Sequence, residues 1–357
     1  MKEITKKVRR KVGKIKGIEK TYALIKTLAS PSNSEPSEAL IDRTMYGIES
    51  LPLLGKEYWW LLFFGQIGRK PVQVMLLLYR KHGNSMLFNG KKVALKKMGE
   101  GRFQGVAAGW VFDGKKMHEL EDTNAITVID KKKKTLTSSL GGRELVLKGG
   151  FPEYSLKLGE LIDLSTSTGN GVKTRDANGV FLPPFGVGWV NLYPKAKGKV
   201  LGKKFNGTAH LQKVVGVTIY GGFHWSRLVF EDNSSLSFFC IKPEKNSKMF
   251  LHKHLMFCNG KTGEITKLKN PKLNISKKTG KKTVWVVEGK AAGKKVKIEL
   301  ESYAEKKFTM ENGGWQVYIE YAVTPTRLIL TSKGEKITLS DLGKGVGTFE
   351  DAYGFMV

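Results

Sequence analysis

Near its C-terminal end the chain carries its most suggestive acid. In Thr348-Phe349-Glu350-Asp351-Ala352-Tyr353, a strand would send Thr348, Glu350 and Ala352 to one face and Phe349, Asp351 and Tyr353 to the other. If that strand closes a barrel, the two acids cannot both face solvent, and one of them points inward. Glu350 is the better candidate, because Thr348 and Ala352 leave space over it while Phe349 and Tyr353 would crowd Asp351. A carboxyl buried in apolar surroundings keeps its proton near neutrality, the state needed to protonate a polyene. The competing reading is a structural carboxylate bonded to an Arg or Tyr across an interface.

His224 and Trp225 are adjacent in one strand-like segment and therefore point to opposite faces. Ser226, Leu228 and Phe230 travel with His224; Arg227, Val229 and Glu231 travel with Trp225. Arg227 is either half of an outward amphipathic pair or an interior anchor for a polar head. His224 is either a proton-exchanging group or a hydrogen-bonded structural histidine. His210 is the other titratable residue of note. His252 and His254 share a face, but no third His, Cys or carboxylate lies near them in sequence, so no metal is expected. With no glycine-rich nucleotide loop leading into a helix and no Gly-x-Ser-x-Gly elbow, no organic cofactor is expected either.

The elements that would position these residues are mostly strands. From Leu51 onward, short apolar or alternating runs are separated by Gly, Asn, Asp and Lys. Tyr58 to Phe64 and Val72 to Tyr79 read as a hairpin buried on both faces. Trp315, Val317, Ile319 and Tyr321 alternate with Gln316, Tyr318, Glu320 and Ala322, a half-buried strand. Lys131 to Lys134, and the cluster Lys277, Lys278, Lys281 and Lys282, fall where turns are expected. Residues 1–29 differ. Ile4, Val8, Val12, Ile15, Ile18, Tyr22 and Ile25 recur at helical spacing opposite a basic face. Such a helix either lies on an anionic membrane or packs on the protein's own body. Residues 30–38 read as a linker.

The chain has 357 residues, room for two domains. Its net charge of +29 rests on 51 Lys and only 10 Arg. Lys suits solubility or diffuse attraction more than base reading, so the charge points to an anionic neighbour and argues against a nucleic-acid partner. Cys240 and Cys258 are too few for a disulfide framework. Reduced thiols point to a cytoplasmic protein, peripheral on the inner membrane face if the helix is an anchor. No apolar run approaches the roughly 18 residues needed to span a bilayer.

Two internal echoes suggest a duplication. Glu57-Tyr58-Trp59-Trp60 and its hairpin are echoed by Phe223-His224-Trp225 and the arms Leu228 to Phe230 and Leu236 to Ile241. Gly207 to Lys213 is echoed by Gly347 to Gly354. A repeat of this length means duplicated barrels and not a solenoid. These segments, with Gly207 to Gly216 and His224-Trp225, resemble the superfamily that contains carotenoid 1,2-hydratase (hydroxyneurosporene synthase) and the AttH-like proteins. Tocopherol cyclase and some fungal pericyclases are more distant members. The resemblance implies an all-β chain of two lipocalin-like antiparallel barrels and a cavity for lipophilic, often isoprenoid, compounds. The hydratase-like members carry an acid, a His and a Trp in the strand matching Gly207 to Gly216, where this chain has Gln212, Lys213 and Val215. Gln cannot exchange a proton, and Lys would need a strongly lowered pKa to act as a base.

The expectation is therefore a basic amphipathic helix and linker over 1–38, a lipocalin-like domain over 39–216 and a second over 217–357. A largely apolar pocket of a few hundred Å3, the usual scale for small ligands, would lie in a barrel or between the two. Glu350, His224 and His210 are the candidate catalytic groups, and Trp60, Trp225, Arg227, Gln212 and Tyr353 the candidate ligand contacts. The leading reading is a binder of a lipophilic small molecule that hydrates, isomerises or cyclises it without metal or organic cofactor. The alternatives are a non-catalytic lipid carrier and, third, a basic nucleic-acid-binding protein.

Overall fold

Tyr58 to Phe64 is aromatic or aliphatic at every position because both faces of its strand are covered. The strand Gly55–Ile67 pairs antiparallel with Lys70–Lys81 on one side and with Lys203–Val217 on the other. Trp59, Leu61 and Phe63 point into one core, while Trp60, Leu62 and Phe64 point into another. The first core fills a barrel and the second lies between two barrels.

The computed structural model describes residues 16–30, 32, 35–67, 70–168, 174–219, 221–245, 247, 250–277, 282–291, 293–332 and 335–355. The chain forms two closed antiparallel barrels, of ten and eight strands. In order of pairing, the first runs through Gly55–Ile67, Lys70–Lys81, Arg102–Phe112, Met117–Asp130, Thr135–Leu140, Arg143–Gly150, Glu153–Leu158, Ile162–Ser167, Lys195–Val200 and Lys203–Val217, which closes back on Gly55–Ile67. The second runs through Phe223–Phe230, Ser235–Ile241, Leu251–Cys258, Ile265–Lys277, Thr283–Ala291, Lys294–Glu311, Trp315–Ser332 and Gly345–Phe355, which closes on Phe223–Phe230. Closure removes free strand edges. A short excursion from the first half, Ser85–Phe88 with Lys91–Ala94, joins the second sheet beside Met310 and Glu311.

The strand Lys203–Val217 changes partner along its length. Its first part pairs with Lys195–Val200 and the rest with Phe185–Leu192, which forms a hairpin with Arg175–Leu182. On that hairpin rests the helix Lys16–Leu28. A side chain at Gly186 would come within 2.9 Å of Ile25, and one at Gly188 within 2.9 Å of Leu28, so two alternate glycines form the seat. Leu24, Ile25 and Leu28 are buried in the first barrel's core. Of the two alternatives for the helix, these residues follow packing on the protein's own body; residues 1–15 lie outside those described. Part of the expected linker becomes the N-cap Ser37 and the start of a second helix, Glu38–Met45. Lys131 to Lys134 form an exposed turn, whereas Lys278 and Lys281 lie outside the described residues. No helix among the described residues is long and apolar enough to cross a membrane.

Aromatic side chains pack inside both barrels. In the second, the ring of Phe349 stacks on Phe238 at 6.5 Å and on Trp285 at 4.5 Å, with Tyr321 edge-on to Trp285 at 4.8 Å. In the first, Trp59 stacks on Phe103 at 5.6 Å. A surface depression of about 550 Å3, open to solvent, is lined by Lys269, Lys290, Ala291, Gly293, Lys294, Lys295 and Thr331.

One end of the first barrel's core holds a charge cluster. Glu57 accepts from Arg80 at 2.6 Å and from Lys213 at 2.6 Å, all three being buried. Lys213 Nζ also sits 3.0 Å from the centre of the Trp59 ring. Burial alone would raise the Glu57 carboxyl, but Lys213 and Arg80 hold it below the usual carboxylate range. Burial lowers Lys213 to about 8 even with Glu57 opposing. Arg80 further donates to the Glu49 carbonyl, and Trp59 donates its indole N–H to the Met45 carbonyl at 2.7 Å. The cluster thus ties the segment from Met45 to Glu49 to the barrel. Lys213, which the resemblance placed where a proton-exchanging group would stand, is a structural cation here. Replacing Glu57 with Gln leaves two buried cations without their counter-ion, for which the expected loss is about 3–5 kcal/mol of stability, measured by urea unfolding.

Candidate functional site

The alternation of the closing strand Gly345–Phe355 sends Phe349 and Asp351 toward its own barrel and Thr348, Glu350 and Ala352 toward the other. Contrary to the expectation that Glu350 points into its own barrel, Asp351 is the inward acid, on the face of Phe349, and Glu350 points out of the barrel, where the first barrel buries it. The neighbouring strand Trp315–Ser332 sets Glu320 directly opposite Glu350, Tyr318 opposite Ala352 and Ala322 opposite Thr348. Glu320 is 0% and Glu350 7% exposed. Two carboxylates facing each other across a ladder repel, the more so when withdrawn from water. Burial pushes Glu350 up to about 8, and burial together with Glu350 pushes Glu320 well above the carboxylate range. Among the described residues, no Lys, Arg or His pairs with either.

The hydrogen bonding fits a protonated Glu320. Thr348 Oγ1 lies 3.1 Å from both the Tyr321 carbonyl and Glu320 Oε1, yet it has one proton. Both contacts are satisfied when Thr348 donates to the carbonyl and a protonated Glu320 donates to Thr348.

Around these acids the two barrels place aromatic side chains with polar tips. Trp60 meets Tyr318 edge-on at 5.1 Å, and Tyr58 lies 6.4 Å from Tyr79. Tyr318 lies beside Glu350, and Trp110 beside Glu320. Burial, and then the two acids, raise the Tyr318 hydroxyl well above its ordinary value. Burial followed by Glu350 and Tyr79 does the same for Tyr58. The site is accordingly neutral and rich in donors. Trp60 Nε1, Trp110 Nε1, Tyr79 Oη, Tyr318 Oη and Glu320 Oε2 are buried without a partner of good hydrogen-bond geometry among the described residues. Each such atom costs about 1–3 kcal/mol unless something bonds to it.

A second polar group adjoins the acids along the same seam. Asn191 Nδ2 donates to Asp176 Oδ1 at 2.8 Å, and Tyr193 donates to Asp176 Oδ2 at 2.9 Å. That orientation turns Asn191 Oδ1 toward His210 Nε2 at 3.0 Å and Gln212 Nε2 at 2.8 Å. His210 must therefore carry its proton on Nε2 and present Nδ1 as a bare acceptor. Burial and then Arg227 push His210 well below its ordinary pKa, so it is a neutral acceptor and not a proton donor. From the second barrel, Trp225 packs on His210 at 5.1 Å, and Arg227 lies 3.8 Å over the Tyr193 ring.

The fold thus brings Glu350, His210, Trp60, Trp225, Arg227 and Gln212 to one inter-barrel seam. It places His224 and Tyr353 elsewhere. His224 lies in the row Cys240-His224-Asp351 across three strands, on the inner side of the second barrel. Its Nδ1 is 3.5 Å from Asp351 Oδ1, which is ion-paired with Lys242. Burial and then Lys242 lower His224 to about 3, so its imidazole is a poor base at neutral pH. Tyr353 packs against Trp315 at 5.8 Å and under Lys245 at 4.9 Å.

Sequence reasoning overlooked Glu320, Tyr318, Trp110 and Tyr79. In the strand Trp315–Ser332, the row Gln316, Tyr318, Glu320 and Ala322 is the better buried, while Trp315 is 46% exposed. The only available signal was that this polar row contained a Tyr and an Ala.

No family model matches the chain, and no curated protein matches it in sequence. Among solved structures the chain is similar to one described as AttH from Nitrosomonas europaea, 13% identical, covering 83% of this chain and 91% of that one at a TM-score of 0.46. It is also similar to CghA, 9% identical, covering 91% and 96% at a TM-score of 0.46. For CghA with Sch210972 the values are 7%, 84% and 88%, at a TM-score of 0.44.

The acid pair gives the protein a signed pH dependence. An unfolded Glu ionises near 4.5, whereas the buried pair keeps its protons to about 8 or beyond. Between those values the unfolded chain binds fewer protons than the folded one, so this pair's contribution to stability falls as pH rises. Replacing both Glu320 and Glu350 with Gln is expected to flatten the decline in urea midpoint between about pH 4.5 and pH 8, measured against the parent protein.

Proposed function

We propose that the seam between the barrels binds a lipophilic small molecule and that Glu350, kept protonated opposite Glu320, delivers a proton to it. The observation that carries this reading is the cross-strand Glu320–Glu350 pair, buried without a cation beneath Trp60, Trp110 and Tyr318. Strongly perturbed carboxyls between two barrels, with Trp60 Nε1 and Tyr79 Oη buried nearby without a partner among the described residues, suit a site for an apolar ligand with a few acceptor atoms.

The chemistry this setting favours is protonation of an electron-rich double bond. The proton leaves Glu350, a carbocation forms on the ligand, and the faces of Trp60 and Tyr318 stabilise it. Loss of a proton from a neighbouring carbon to the Glu350 carboxylate restores the acid and completes an isomerisation or, after ring closure, a cyclisation. Addition of water to the same cation, with loss of a proton, would be hydration. Glu320 acts as a positioning residue: a second carboxyl across the ladder opposes ionisation of Glu350 in the resting site.

Binding and proton transfer separate experimentally. The neutral polyene cis-parinaric acid methyl ester is expected to bind the full chain, and Trp60→Ala is expected to weaken it by tenfold or more. Unaltered binding in Trp60→Ala overturns the seam as the site. Any compound that copurifies should be identified by mass spectrometry and incubated with parent and Glu350→Gln protein. Conversion by the parent and loss of about 100-fold or more in the variant is the expected result. Binding with no conversion by the parent makes the protein a carrier.

A further inference from the structure

Arg227 lies on the same face as Glu350, one strand away. Trp225 stands directly opposite Glu350 and Arg227 opposite Thr348, so Arg227 is the diagonal neighbour of Glu350, roughly 7–8 Å away on a sheet. It is 8% exposed. Its Nη1 donates to Ser237 Oγ at 3.2 Å, and its guanidinium lies over the Tyr193 ring. Among the described residues it has no carboxylate in ion-pair contact. Asp176, the nearest acid of this cluster, is bonded instead to Asn191 and Tyr193. A guanidinium offers five donors in a planar fork shaped for a carboxylate; here Tyr193 and, at longer range, Asp176 favour its charge, while among the described residues its hydrogen bond goes to Ser237 and the rest of the fork is open.

The chain has abundant lysines at its surface, yet it commits one of its 10 arginines to this buried position. Beside it stands His210, neutral and with Nδ1 unpartnered at 1% exposure. The seam thus has an acid end at Glu320 and Glu350 and a cationic end at Arg227, bridged by Trp225.

From this juxtaposition we infer that the ligand of the seam is an amphipathic organic acid, whose carboxylate is held by Arg227 while its unsaturated apolar part reaches Glu350. The inference rests on the seam being the ligand site and adds the ligand's chemical class and orientation. The carboxylate and the protonated carbon would be separated by only a handful of bonds, and the ligand would enter with one fixed end first. Arg227 is then a binding and positioning residue, setting which double bond meets the acid.

The test compares cis-parinaric acid with its methyl ester on the full chain in about 0.5 M salt, where the charge of surface lysines is screened beyond a few Å. The acid is expected to bind the parent protein at least tenfold more tightly than the ester. Arg227→Gln should bring acid and ester to parity, and Arg227→Lys should keep part of the preference. Equal affinities in the parent, or a preference that survives in Arg227→Gln, overturns the inference while leaving the seam as a site for neutral ligands. Binding of neither probe to the parent, or binding of both unaltered by Trp60→Ala, overturns the seam reading and this inference with it. If Arg227→Gln does not fold, the parent's acid-to-ester ratio and Arg227→Lys still decide.

Discussion

A strand that is apolar on both faces needs two surfaces to bury it, and this requirement organises the protein. Gly55–Ile67 takes one surface from its own barrel and the other from the second barrel. Burying Trp60, Leu62 and Phe64 contributes roughly 1.5–3 kcal/mol each. Together with Met75, Leu77 and Trp110 from the adjoining strands, that is enough to join the barrels and to offset the desolvation of two carboxyls, provided these stay protonated. An ionised carboxylate in the same layer would cost far more than any one of these side chains contributes. The apolar seam and the raised carboxyls therefore have one cause.

Buried charge is handled differently in three places. In the first barrel, Glu57 answers Arg80 and Lys213; in the second, Asp351 answers Lys242. Both arrangements are closed, and they hold chain segments together. Along the seam, among the described residues, neither acid is ion-paired with a cation and Arg227 is not ion-paired with a carboxylate, although Glu350 is its diagonal neighbour on one sheet. Groups left in that condition are poised for something other than each other. This is why the seam, and not the barrel interiors, draws the functional reading, even though such barrels suggest a ligand inside. Inside the barrels, Trp59, Phe103, Trp285 and Phe349 are buried in packed apolar cores.

The helix at the start illustrates the same economy of surfaces. Its apolar stripe from Leu24 to Leu28 is taken up by the first barrel and by the hairpin whose Gly186 and Gly188 let it approach. Periodicity alone left a membrane and the protein's own body both open, because either presents an apolar surface to the same stripe. The alternate glycines were legible in Phe185-Gly186-Val187-Gly188, but they read as turn residues until the hairpin's partner was known.

Local rules carried the sequence a long way. The period of two in a strand is set by the pleat, so the split between Glu350 and Asp351, or between Trp225 and His224, was readable from neighbours in sequence. So were the hairpins, the all-strand character and the echo between the two halves. What alternation cannot say is which face another part of the chain will cover. The row containing Tyr318 and Glu320 looked like the wet side of its strand, and it became one of the driest places in the molecule because a distant barrel lies over it. Lys213 looked like a substitution in a chemical motif, and it became the counter-ion of Glu57 because closure of the barrel brings residues 156 apart into contact. Which face of a strand meets water is a property of the assembled surfaces. The sequence determined the faces, and only the packing of one barrel on the other decided which of them would hold a proton.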